Sequence, residues 1–372
     1  MDLYRKVRLA CAEALRSAIT PGCTVLDLGA GFGAFSFLAC RFGAGRVIAV
    51  EPASAIALGA EMARANGCAD RIEFIRGVSQ DLGPEVQADV ILADLRGPVP
   101  LYTQHIPTIV DARSRLLAPG GVLITQRDHL RCALVSDEAI AGNTFRPWQA
   151  NALNLDFSAG NRIAVNTEQK LFVGPEAVFS DTVDFATLDY HTITDPDVRD
   201  RVTLTAERAA PAHGLLVWFD AELTGGQGFS NAPGQPKRIY GHLFLPFERP
   251  VEMAEGDSSE IDLGFRLVGD RYEKTWKSRF LRAGKPDLKF SQSTALAEFI
   301  TAADLRRRVG SYVPQPKADM DLDRHCLSRF DGATPLDTIA RELVERAPGR
   351  FVTQADALAY AAALAERYHE PS

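Results

Sequence analysis

The sequence predicts an α/β fold in which a parallel sheet flanked by helices is followed by an antiparallel β-barrel and a small helical module. Three observations carry this. From Thr24 to Thr125 short apolar runs alternate with helical stretches: residues 25–28 (VLDL), 47–50 (VIAV), 72–75 (IEFI), 90–93 (VILA) and 122–124 (VLI). That alternation is the mark of βαβ units, a Rossmann-type domain. Further on, Leu215, Val217, Phe219, Ala221 and Leu223 alternate with Trp218, Asp220 and Glu222, the period of two expected of a strand with one buried face. Strand-like runs at 239–247, 261–268 and 271–280 follow, separated by Gly, Pro and Asp clusters that mark turns. In the tail, Thr334, Pro335 and Asp337 read as a helix cap. Leu336, Ile339, Ala340, Leu343, Val344 and Ala347 then share one helical face. Thr353 and Asp356 repeat the cap before a second helix. The expected domains are residues 1–130, 131–285 and 286–372, with a weakly periodic segment at about 145–172 projecting from the barrel and a linker at 312–320.

Composition narrows the function. The 372 residues carry a net charge of −7, which argues against nucleic-acid binding driven by counterion release. The six cysteines form no CxxC pair and have no histidine at metal-ligand spacing, so no metal site is expected and free thiols in a reducing cytoplasm are. The opening residues spread their charges and lack an uninterrupted apolar stretch with a small-residue cleavage site, and no apolar run approaches the roughly 20 residues that span a bilayer, so neither secretion nor membrane insertion is expected. Neither nucleic acid nor membrane is an expected partner.

The strongest local signal is VLDLGAGFG at 25–33, a strand entering a glycine turn. Gly29, Gly31 and Gly33 let the backbone approach a ligand. The G-x-G-x-x-G spacing of dinucleotide folds fails, because Ala34 stands where the third glycine belongs. Asp27, acidic and just before the turn, suits a cation better than a pyrophosphate. The ligand expected is therefore S-adenosylmethionine (SAM), which carries an ammonium and a sulfonium. Glu51, with Pro52 after it, closes the second strand where a carboxylate can accept both ribose hydroxyls. Ser79 and Gln80 follow the third strand, where adenine would lie. Asp94 closes the fourth, facing the reacting end.

These residues resemble the protein arginine methyltransferases. The resemblance rests on residues 25–33, 47–53 (VIAVEPA), 64–77, 88–97 (ADVILADLRG) and 112–124, and continues through 214–223 (GLLVWFDAEL), 229–233 (FSNAP) and 245–257, about 280 residues in all. It implies a SAM-dependent methyltransferase, a peptide or protein substrate, a grip on the methionine carboxylate by Arg5 (with Arg8 as the fallback), and a homodimer formed through 145–172 as a dimerisation arm. In that family two glutamates flanking a Trp-Met-Gly stretch hold the guanidinium. Here the first corresponds to Asp94 and the second to Thr103, while Arg96 enters the loop. The family's Thr-His-Trp loop corresponds to Arg238, Ile239 and Tyr240. Arginine stays protonated at any ordinary pH and must be held by anions. The acceptor expected is therefore one that needs less anionic help, a carboxylate, hydroxyl or amine, with Arg96 or Arg238 pairing an anionic substrate group. Asp94, Arg96, Thr103 and Tyr240 are the expected catalytic set. Arginine methylation through a variant loop is the alternative enzyme, and a non-catalytic SAM-binding scaffold the alternative of another class. Residues 327–340 are similar to the PqqD-like winged-helix modules, which implies binding of a peptide leader.

Overall fold

The computed structural model describes residues 5–149, 155–237, 239–298, 301–307, 309–317 and 319–368, with side chains from Leu9 onward. The chain forms two compact units, residues 1–299 and 300–372.

The first unit opens with α1 (Arg5–Ala18), β1 (Thr24–Leu28), α2 (Ala34–Phe42), β2 (Arg46–Val50), α3 (Ile56–Ala65), β3 (Ile72–Ile75), β4 (Ala88–Ala93), α4 (His105–Arg115) and β5 (Leu117–Leu123). The strands pair in parallel in the order β3-β2-β1-β4-β5. Val25, Leu26, Val47, Ile48, Val90 and Ile91 are almost fully buried, as a sheet covered on both faces requires. The order reverses between β1 and β4, so a crevice opens at their carboxyl ends, where open α/β sheets bind ligands.

The chain then builds β6 (Thr125–Val135), short helices α5 (Glu138–Ile140), α6 (Arg146–Gln149) and α7 (Ser158–Ala164), and strands β7 (Gln169–Leu171), β8 (Val183–Asp189), β9 (Val198–Thr205), β10 (Ala210–Leu223), β11 (Gln227–Ser230), β12 (His242–Met253), β13 (Ser258–Val268), β14 (Arg271–Leu281) and β15 (Leu288–Ser293). Two antiparallel sheets result, one ordered β7-β12-β10-β6-β8 with β11 on β10, the other β15-β14-β13-β9. Their apolar faces join the core of the parallel-sheet domain.

In one respect β10 departs from its pattern. Trp218, expected on a solvated face, is buried with Leu216, Ile140, Phe145, Val165 and Phe244 in a second cluster. The segment after β6 folds back over that face, so the middle of β10 is covered on both sides. Within the expected arm, α6, α7 and β7 are seen, and residues 150–154 lie outside the described ones.

The second unit holds α8 (Ala302–Arg307), α9 (Met320–Ser328), α10 (Leu336–Arg346) and α11 (Gln354–Tyr368). Leu322, Cys326, Ile339, Leu343, Phe351 and Ala357 form its own core. Thr353 and Asp356 cap α11 reciprocally, at 2.8 and 3.2 Å between each backbone N–H and the other's side-chain oxygen. Thr334 does not cap α10. Asp331 instead accepts its N–H at 2.7 Å and its hydroxyl at 2.8 Å, a local Asx turn winning over the cap, and Pro335 precedes the helix.

Candidate active site

The glycine turn sits at the mouth of the crevice. Gly29, Gly31 and Gly33 all have positive φ, 75°, 59° and 93°, and a Cβ on Gly29 would collide with Leu95. The turn thus excludes side chains from an open cleft with about 690 Å³ of empty space counting its mouth, lined by Asp27, Gly29, Gly31, Phe35, Asp94 and Ile239. Asp27 is 2% exposed and accepts the Ser36 hydroxyl at 2.7 Å. Burial pushes its carboxyl up to about 6, against the lowering effect of Ser36. A buried carboxylate facing a cleft and held by neutral donors fits a ligand that brings a positive charge, as the ammonium and sulfonium of SAM do.

Glu51 stands where β2 ends. One carboxylate oxygen accepts Gly31 N–H at 3.0 Å and the other Ala53 N–H at 2.9 Å, so the side chain ties the glycine turn to the loop carrying Pro52. Two of its roughly four lone-pair sites stay available, the right number for a diol. Ser79 and Gln80 follow β3, in the loop before β4. Ser79 is buried; its carbonyl accepts Arg115 at 2.9 Å and its hydroxyl donates to Gln80 Oε1 at 3.3 Å, while Arg115 chiefly holds the nearby Asp111 carboxyl down. Ser79 is thus drawn toward α4 by the Arg115 and Asp111 pair. The Val78 N–H, next to it, donates to Asp81 at 2.8 Å.

Beyond β4 a buried polar network surrounds Asp94. The Tyr240 hydroxyl lies 2.8 and 2.7 Å from its two oxygens, and Arg96 Nη1 donates to Oδ1 at 3.0 Å. Arg96 was expected to meet an anionic substrate group; it is buried instead and forks onto Asp128 of β6, Nε to Oδ2 at 2.8 Å and Nη2 to Oδ1 at 3.0 Å. Its guanidinium lies 5.7 and 5.6 Å from the Phe219 and Phe229 ring centres. Burial disfavours its charge, but Asp128 and Asp94 outweigh that and raise its pKa. The Tyr190 hydroxyl donates to Asp128 at 2.6 Å. With its one proton used there, it accepts from Nε2–H of His105 at 2.9 Å, which fixes that ring's tautomer. His105 is buried, and burial together with Arg96 keeps it neutral.

Tyr240 stacks on Phe229 at 5.6 Å and meets Phe219 edge-on at 5.3 Å. Asn231, whose part the sequence reading missed although it lies within the FSNAP run, holds this corner together. Its carbonyl accepts Phe219 N–H at 2.7 Å, and its amide donates to Pro98 O at 3.1 Å and to Gly241 O. One buried amide therefore joins β10, the loop after Asp94 and the turn bearing Tyr240. Thr103 is exposed and, alone among the described non-glycine residues, has a positive φ, 40°, strained for a β-branched residue. The Arg5 and Arg8 side chains and Arg238 lie outside the described residues.

A Rossmann-type sheet with a crevice lined by glycines and acidic side chains, joined to antiparallel sheets, defines a class I methyltransferase with an appended β domain. The family model of ribosomal protein L11 methyltransferase (PrmA) matches residues 8–139. The chain is 30% identical to the arginine N(omega)-methyltransferase of Streptomyces achromogenes subsp. streptozoticus over 275 residues, 69% of this chain and 72% of that one. It is 26% identical to protein arginine N-methyltransferase 1 of Saccharomyces cerevisiae over 64% of this chain and 71% of the relative. The same fold is found in the PRMT1 enzyme–prozyme heterotetrameric complex of Trypanosoma brucei with AdoHcy, at TM-score 0.68 and 22% identity, and in protein arginine methyltransferase 10 of Arabidopsis thaliana, at 0.69 and 18%. Each likeness covers 78% of this chain and 95% of the other. The chain belongs to the arginine methyltransferase family. It is a SAM-dependent methyltransferase. None of the described helices is long and apolar enough to cross a membrane.

Proposed function

We propose that this enzyme methylates a peptide or protein on a hydroxyl or an amine and not on a guanidinium. The observation that carries the reading is the state of Asp94. Its Oδ1 already receives Arg96, Tyr240 reaches both oxygens, and residue 103 offers a hydroxyl in place of a second carboxylate. A planar guanidinium calls for a two-point hold on paired oxygens, whereas a hydroxyl or amine needs one. A carboxylate acceptor is disfavoured because the Arg96 charge is already matched by two aspartates.

When bound, SAM supplies a methyl carbon made electrophilic by the sulfonium. The chain's residues do the rest. Asp27 holds the cationic end, Arg5 the methionine carboxylate and Glu51 the ribose hydroxyls. Gly29, Gly31 and Gly33 keep the cleft open. Asp94 orients the acceptor and takes its proton at Oδ2, and Tyr240 fixes the rotamer of Asp94. The C-terminal unit, by its likeness to PqqD-like modules, is the place where a peptide leader docks, and the arm is the contact between two copies.

The names of the relatives favour a second reading, arginine methylation through the altered loop. Titration calorimetry with SAM, followed by turnover, tests the leading one. Asp27→Ala and Glu51→Ala should abolish binding. Asp94→Ala should bind SAM and lose about 10²-fold or more in turnover; undiminished turnover contradicts its role.

A further inference from the structure

We propose that Arg96, locked by Asp128, sets the acceptor specificity of this enzyme. The chain's own guanidinium fills the cage that an arginine acceptor would enter, and leaves a site for a nucleophile with a single donor. The inference rests on the reading of Asp94 given above and identifies the residue responsible for it.

The cage has the parts that guanidinium recognition uses, paired carboxylates in the plane of the fork and aromatic rings over its faces. Asp94 comes from the end of β4 and Asp128 from β6, so the two domains contribute one wall each. Phe219 and Phe229 supply the faces. The Arg96 and Asp128 side chains are both fully buried, while that of Asp94 keeps 16% exposure. The open part of the cage is thus limited to Asp94, where Oδ2 receives the Tyr240 hydroxyl and nothing from Arg96. Asp128 is itself held, since Tyr190 donates to the oxygen that also takes Arg96 Nε. Arg96 acts through Asp94, as a positioning residue.

The test uses the full-length enzyme with SAM present and measures, by calorimetry, the binding of three small probes: acetyl-arginine methylamide, acetyl-lysine methylamide and acetyl-serine methylamide. Wild type should bind the arginine probe no better than the other two. The variant Arg96→Ala empties the cage, keeps both carboxylates to receive a guanidinium from solution and leaves Tyr190 its acceptor. It should gain at least tenfold for the arginine probe with no comparable gain for the serine probe. Retained SAM binding and a cooperative melt establish that it folds. A folded Arg96→Ala variant without that gain overturns the assignment to Arg96 and leaves the reading of Asp94 standing. Arginine binding by wild type that is tenfold tighter than lysine or serine overturns both, and requires no variant to fold.

Discussion

Arg96 and Asp128 meet through two parallel hydrogen bonds of 2.8 and 3.0 Å, with neither side chain open to solvent. The pair joins the loop after β4 of the parallel sheet to β6 of the antiparallel one. Removing Arg96 leaves Asp128 as an uncompensated buried charge, which costs far more than the pair contributes. Arg96→Met should therefore lower unfolding free energy by about 3–5 kcal/mol, read from urea denaturation. Arg96→Met/Asp128→Asn should lose less than half as much. Equal losses would mean that the charge imbalance is not what matters.

Asp27 links cofactor binding to pH. Its carboxyl is raised from 3.8 to about 6 by burial, so the folded protein holds that proton more tightly than the unfolded chain. The stabilisation is complete below about pH 4 and disappears as pH rises through 6. Above that, the charged carboxylate costs the ligand-free protein roughly 3 kcal/mol. SAM supplies the counter-charge, so its affinity should fall as pH drops below 6. Asp27→Asn should stabilise the ligand-free protein at pH 8 while weakening SAM and flattening that pH dependence. Calorimetry at pH 5 and 8 checks both signs.

Tyr240→Phe keeps the stack on Phe229 and deletes only the hydroxyl beside Asp94. A hydrogen bond to a charged group contributes about 1.5–3 kcal/mol, so turnover should fall roughly tenfold to a hundredfold, with the Kd for SAM within about threefold of wild type. Burial, reinforced by Asp94, holds this phenol well above its ordinary pKa, so no loss of activity from its ionisation should appear up to pH 10. A weakened SAM affinity with unchanged turnover would place Tyr240 in cofactor binding instead.

Asn231→Ala strands the Phe219 N–H and the Pro98 and Gly241 carbonyls together. Stability should drop by about 2–3 kcal/mol. Acceptor KM should rise before SAM affinity changes, because the corner carries Tyr240 and not the glycine turn. Matched losses in both would show a general collapse of the domain.

The parallel sheet was legible because its central strands, β1, β2 and β4, are apolar runs covered on both faces, and because Asp27, Glu51 and Asp94 stand at strand ends where the topology makes one crevice. The period of two in β10 gave the strand and misled about its outer face, since the pattern of Trp218 and Asp220 says nothing about a distant segment folding over it. Arg96 was visible as a charge in the wrong place for a guanidinium. Its partner was not, because Asp128 is 32 residues away in another sheet and no spacing rule connects them. The bond from Arg115 to the Ser79 carbonyl, across 36 residues, was hidden for a similar reason. Asn231 lay inside a quoted motif, but three backbone partners brought together by folding leave no periodic trace.

Methyl transfer from isotopically labelled SAM to a peptide panel, with the labelled atom located by fragmentation mass spectrometry, bears most directly on the whole. Peptides presenting serine, lysine and arginine in the same flanking sequence should take label on the hydroxyl or the ε-amine, and Asp94→Ala should abolish it. Label on an arginine Nη at the highest rate of the three would contradict the central claim.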